Sequence, residues 1–275
     1  MKRDVNGVSY HVEIINADQQ ETIVFLHGFT GSTKSWQPVI EGWNDVKIVL
    51  IDLIGHGKTD CPEDSKHYRM QRQVEDLDAL FGQLELNGLT LVGYSMGGRT
   101  ALAYACSFPD RLKGLVLESA SPGLRTDEEQ QERRTRDEGL AQRIVAGGMP
   151  NFVDRWESIP LFDSQKFLSE PVKQAVREER LAQNPIGLAN SLKGMGTGAQ
   201  ESYWERLKNL EIPVLLVTGQ LDGKFRAIAE EVAELLPDAV HKTIEGGHAI
   251  HVEKPAEFAT IVREYSSLNH QGGKS

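Results

Sequence analysis

The stretch LTLVGYSMGGRTALA, residues 89–103, decides how the chain is read. Leu89, Thr90, Leu91 and Val92 form a buried-type strand pattern, and a helix-compatible segment follows from Arg99. Between them, Gly93 and Gly97 stand two positions before and two after Ser95. That spacing suits a strand-to-helix turn too tight for a Cβ, with the serine hydroxyl raised at its apex.

Working outward, further apolar runs occur at 22–26, 46–51, 114–117 and 214–218, with a helical pattern at 70–84 as well as at 99–107. Continuous rather than alternating apolar strands, separated by helices, predict an α/β fold: a mostly parallel central sheet with helices on both faces. The strand pattern stops after Ser121-Pro122 and restarts at Ile212-Pro213-Val214. Residues 122–209 read as helical and charged. The expected organisation is therefore a core from 1–121 and 210–270, an inserted helical lid at 122–209 and a disordered tail at 271–275.

A G-x-S-x-G sequence recurs by chance, so Ser95 needs partners in the chain order Ser, Asp, His that this turn uses. Asp222 follows the 214–218 strand, and His248 lies beyond the glycines of EGGH, 245–248. Taken singly, a loop aspartate reads as a turn former or helix cap, and a lone histidine as structural. Three in order, each after a strand, predict a catalytic triad of Ser95, His248 and Asp222. An oxyanion needs backbone N–H donors, and LHGFTG (26–31) after the first strand predicts them at Phe29 and Met96.

The bulk properties narrow the partners. The chain has 275 residues, enough for one large α/β domain with an insertion, and a formal net charge of −10 that disfavours nucleic acid and anionic membranes. No apolar run reaches transmembrane length. Two separated cysteines, Cys61 and Cys106, and no signal-peptide pattern at the N-terminus lead to the expectation of a reduced, cytoplasmic protein. A monomer or weak homo-oligomer is the accompanying expectation. His27, His56, His248 and His251 lack any H-E-x-x-H or carboxylate-histidine spacing, so no metal is expected.

LHGFTGS (26–32), DLIGHGKT (52–59), GYSMGG (93–98), TGQLDGKF (218–225) and GGHAIHVEKP (246–255) together resemble the α/β-hydrolase superfamily from end to end. A closer resemblance is to the 2-succinyl-6-hydroxy-2,4-cyclohexadiene-1-carboxylate (SHCHC) synthases of menaquinone biosynthesis. It rests on GYSMGGR (93–99), SPGL (121–124), RW (155–156) with PLF (160–162), GMGTG (194–198) and DGKFR (222–226). The resemblance implies a cofactor-free lyase that eliminates pyruvate from a polycarboxylated cyclohexene, starting with proton abstraction.

Such a substrate demands arginines. Arg99 lies one helical turn beyond Ser95, where a guanidinium beside the nucleophile could hold a carboxylate. The resemblance implies further substrate-binding roles for Arg133, Arg180, Tyr94, Trp156, Phe162 and Lys224. Arg134 and Arg136 stand close enough to replace Arg133, and Arg125 adds another cation. Nine of the sixteen arginines fall within 122–209, but so do fourteen acidic residues, which makes a solvated face of i,i+4 pairs the plainer reading for most of them. The same triad also fits a carboxylesterase or a carbon–carbon bond hydrolase. A ligand-sensing module on a hydrolase fold is the alternative outside enzymes.

Overall fold

The computed structural model describes residues 1–272. Eight strands form one sheet among them: β1 (Lys2–Val5), β2 (Val8–Ile15), β3 (Thr22–Leu26), β4 (Lys47–Ile51), β5 (Leu89–Tyr94), β6 (Leu112–Glu118), β7 (Val214–Gly219) and β8 (Ala239–Ile244). Their spatial order is β1-β2-β4-β3-β5-β6-β7-β8. The β1/β2 and β2/β4 pairs are antiparallel, and all the others are parallel.

The helices that cover the sheet follow the strands in turn. α1 (Gln37–Ile40) comes after β3, α2 (Met70–Gln83) after β4 and α3 (Met96–Ser107) after β5. Between β6 and β7 lie α4 (Asp127–Trp156), α5 (Glu170–Leu181) and α6 (Pro185–Met195). α7 (Gly223–Leu235) separates β7 from β8, and α8 (Ile250–Glu253) and α9 (Pro255–Gly272) end the described chain.

Alternation along each central strand divides the core between the two faces of the sheet. Val24, Leu26, Leu91, Leu115 and Leu117 pack on the side of α2 and α3. Ile23, Phe25, Val92, Val116 and Val217 pack with Trp36 and Phe258 on the other. Burial on both faces is why these strands read as unbroken apolar runs. The N-terminal strands β1 and β2 carry no such run, and neither does the half-exposed β8 that precedes His248, because their sequences mix polar residues into short or half-exposed patterns.

The segment between β6 and β7 has its own small core of Ala141, Ile144, Met149, Phe152, Val153, Leu188, Ala189 and Leu192, which also packs against Phe29 of the β3 loop. α4 begins with a capping box in which Thr126 accepts from the Glu129 amide, and it bends at Gly148, whose φ of 72° breaks the helix two residues before Pro150. At the C-terminus, α9 carries residues 271 and 272 of the expected disordered tail. The remaining three lie outside the described residues.

The tightest junction is the turn from β5 into α3. A Cβ on Gly97 would lie 2.1 Å from the Leu26 carbonyl oxygen, and one on Gly93 would lie 2.4 Å from the Gly97 oxygen. Both obstacles are main chain, so neither can swing aside. Gly97→Ala should destabilise the fold by about 1–3 kcal/mol or more, read by urea unfolding. A variant as stable as the parent would mean that α3 can move off β3 freely.

Candidate active site

The turn after β5 presents Ser95 at φ 49° and ψ −103°, a left-handed conformation that a serine adopts only under constraint from its surroundings. The constraint is visible on both sides: the Ser95 amide donates to the Glu118 carbonyl of β6 at 2.8 Å, and the Ser95 carbonyl accepts from the Arg99 amide at 2.9 Å. Its hydroxyl lies 3.1 Å from Nε2 of His248. Nδ1 of His248 lies 2.6 Å from Oδ2 of Asp222. An ionised carboxylate only accepts, so this contact puts the imidazole proton on Nδ1 and leaves Nε2 to take one from Ser95. Asp222 is fixed in turn as the N-cap of α7, where Oδ1 accepts from the Phe225 amide at 3.2 Å.

Met96 opens α3, and the first amides of a helix have no partner within it. Phe29 sits in the loop after β3, and that loop is held by a neutral histidine. Nδ1 of His27 lies 2.8 Å from the Gly28 oxygen, while its Nε2 accepts from the Leu53 amide at 3.0 Å. Complete burial pushes the His27 pKa down to about 4. Burial, reinforced by His27, pushes His56 down to about 3.

An aromatic wall closes the site. The Phe29 ring lies 5.4 Å from Trp156, which lies 5.8 Å from Phe162, itself 6.4 Å from the His248 ring. Tyr94, 8% exposed, lies 5.4 Å from His248 on another side; burial, with Glu118 nearby, raises its phenol pKa well above the usual value. The indole N–H of Trp156 is buried and has no acceptor among the described residues. Trp156 also borders an open hollow of about 670 Å³ lined by Leu140, Arg143, Phe152 and Arg155.

The arginines diverge from expectation in one respect. Arg99 is not a free cation beside Ser95, since its Nη1 donates to the Met195 carbonyl of α6 at 2.7 Å and also to Gln200. A guanidinium drawn out of water must find acceptors, and the end of α6 supplies them. Desolvation and the nearby Arg133 push its pKa down to about 10, against the pull of Asp137. Arg133 itself donates to Asp137 at 2.8 Å. Arg134 turns to Gln131 and the Gly198 carbonyl, and Arg136, 77% exposed, pairs with Glu132. Arg125 leaves the site altogether: it pairs with Glu231 and stacks on Trp204.

Arg180 is 7% exposed, bonded to Gln165 at 3.0 Å and Glu157 at 3.3 Å, with its guanidinium 4.8 Å from the Phe162 ring centre. Burial lowers its pKa against the pull of Glu157 and Tyr94. Lys224 is exposed at the start of α7, 5.6 Å over the Phe225 ring. Sequence reasoning missed Phe225, 4.6 Å from the His248 ring, as well as Gln200 and Glu118. A long-range contact such as that between Gln200 and Arg99 has no local signal. Among the described residues, no group of three or more His, Cys, Asp or Glu is arranged to hold a metal ion.

A serine on a strained turn after the fifth strand, within hydrogen-bond reach of a histidine after the eighth that meets an aspartate after the seventh, defines a class. The chain belongs to the alpha/beta hydrolase fold family, whose sequence profile matches residues 21–255. Within that family it belongs with the 2-succinyl-6-hydroxy-2,4-cyclohexadiene-1-carboxylate synthases. A Bacillus subtilis (strain 168) protein provisionally given that name is 47% identical over 261 residues, 94% of this chain and 95% of the relative. The Salmonella paratyphi C (strain RKS4594) synthase is 34% identical over 86% of this chain and 89% of its own. The structure of MenH from S. aureus superposes with a TM-score of 0.90 at 35% identity, covering 95% of this chain and 98% of that one. No helix among the described residues is long and apolar enough to cross a membrane.

The buried histidines carry a pH dependence. Their folded pKa values lie below the ordinary 6.5, so between that value and about 4 the unfolded chain binds more protons than the folded one. Their contribution to stability is complete above about 6.5 and declines as the pH falls. Urea midpoints measured from pH 7 to pH 5 should drop, and less steeply in His27→Asn; equal slopes would remove His27 as a source.

Proposed function

We propose that this chain is a lyase that eliminates pyruvate from 2-succinyl-5-enolpyruvyl-6-hydroxy-3-cyclohexene-1-carboxylate (SEPHCHC) to give SHCHC, the reaction implied by the synthase name its relatives bear. The observation that carries the reading to this site is Arg99, one helical turn beyond Ser95, whose guanidinium is bonded, among the described residues, only to neutral acceptors, the Met195 carbonyl and the Gln200 amide oxygen. Arg133 adds a second positive charge that lowers the Arg99 pKa, and it is itself bonded to the nearby carboxylate of Asp137. That local excess of positive charge suits a carboxylated substrate and has no use for an apolar ester. The helical segment 122–209 acts as the lid that carries Arg133 and Arg180 over the core. The enzyme works as a monomer or weak homo-oligomer without a cofactor.

In this mechanism Asp222 holds His248 so that Nε2 takes the Ser95 proton, and the Ser95 oxygen takes the ring proton adjacent to the succinyl carbonyl. Charge moves onto that carbonyl oxygen, where the amides of Phe29 and Met96 meet it, each donor contributing about 3 kcal/mol. The carbon–oxygen bond to the enolpyruvyl group then breaks as the ring double bond forms. His248 returns a proton to the leaving oxygen, and pyruvate departs as its enol. Tyr94, Trp156 and Phe162 wall the ring, while Arg99, Arg133, Arg180 and Lys224 hold its carboxylates.

SEPHCHC also loses pyruvate unaided, so the test is pyruvate release over a no-enzyme control. Ser95→Ala should lower kcat by about 1,000-fold or more. Arg99→Ala should raise KM about tenfold while affecting kcat less, the loss of one charged hydrogen bond. Release by the parent protein no faster than the control would overturn the reading, and an unchanged KM in Arg99→Ala would remove the carboxylate role.

A further inference from the structure

Three residues after His248, a second histidine meets a second acid. His251 and Glu118 have side chains 2% and 0% exposed, with Nδ1 2.9 Å from Oε1. The same Oε1 also accepts the His251 main-chain amide at 3.0 Å. Glu118 ends β6, in register with Tyr94 of β5, and its own carbonyl is the acceptor of the Ser95 amide at 2.8 Å. One residue therefore grips both halves of the reacting pair: its main chain holds the serine turn, and its side chain holds the first turn of α8, directly beyond His248.

A buried carboxylate is costly, and a well-packed apolar side chain is often no less stable in its place. Here the cost is raised further, because Oε2 of Glu118 is buried with no partner among the described residues. The rings of Trp36 and Tyr94 pack on His251 at 4.6 and 4.5 Å and complete a rigid block behind the triad. We propose that Glu118 is a positioning residue that sets the Ser95–His248 separation by clamping the His251 turn to the nucleophile turn, through the length of its side chain rather than its charge.

This inference rests on the triad reading but not on the identity of the substrate. Its test therefore uses a fluorophosphonate probe, in which the Ser95 oxygen bonds phosphorus, fluoride leaves and His248 takes the proton. Maximal labelling rate and probe affinity are measured separately for the parent, Glu118→Asp and Glu118→Gln, each well below its own melting temperature, alongside kcat and KM for pyruvate release. Glu118→Asp keeps the charge but is one methylene too short to reach His251. It should slow labelling about tenfold or more, with probe affinity within about twofold, since a small misplacement of reacting groups is costly in rate. Glu118→Gln keeps the reach and the acceptor without the charge, and should label within about threefold of the parent.

Glu118→Asp at the parent rate, or Glu118→Gln as slow as Glu118→Asp, would overturn the proposal. A parent protein that does not label would remove the triad reading and this inference together. Labelling in the expected pattern without pyruvate release would leave the inference standing and overturn only the substrate.

Discussion

The contact on which the structure depends is the approach of Gly97 to the carbonyls of Leu26 and His27 at the end of β3. It lets α3 begin directly against the sheet, with its first turn on the end of β3. The left-handed Ser95 follows from the same geometry, because the chain must reverse from strand to helix within a single residue. Any side chain at 97 would push the helix out. The serine turn and the start of α3 are thus consequences of one packing constraint rather than separately placed features.

Around this turn the loops are fastened by buried polar side chains. His27 bridges the β3 and β4 loops because a neutral imidazole can donate through one nitrogen and accept through the other, and burial keeps it neutral. Asp52 does similar work from the β4 loop, where its two oxygens accept the amides of Thr33 and Lys58. Glu179 of α5 accepts from the hydroxyls of Ser32 and Ser35 at 2.5 and 2.9 Å, which ties the segment between β6 and β7 to the loop that carries Phe29. The rigidity of the site therefore comes from hydrogen bonds across elements, laid over an apolar core that fixes the sheet alone.

That division explains what could be read from the sequence. The central strands were legible because burial on both faces forces continuous apolar runs, and the serine turn because its glycines are dictated by local sterics. Asp222 and His248 were legible through chain order, and they meet at hydrogen-bonding distance. β1, β2 and β8 were not, since edge or half-exposed strands carry mixed residues. Nor was the fate of the arginines: whether Arg125 faces a pocket or Glu231 is decided by where α7 packs, which no local pattern encodes.

The arginines also differ in what an incoming carboxylate must displace. Arg133 and Arg180 are each engaged with a carboxylate of the protein, Asp137 and Glu157. Arg99 is held by neutral acceptors, a carbonyl and an amide oxygen. Exchanging a neutral acceptor for a charged one strengthens the bond, whereas exchanging one carboxylate for another gains little and leaves the displaced anion to be resolvated. Under the proposed function, Arg99 is then the cation with most to gain from substrate, and Arg133 raises that gain by its repulsion. On that reading, binding at Arg99 would free the Met195 carbonyl and Gln200 and would couple carboxylate recognition to the end of α6 and the segment between β6 and β7.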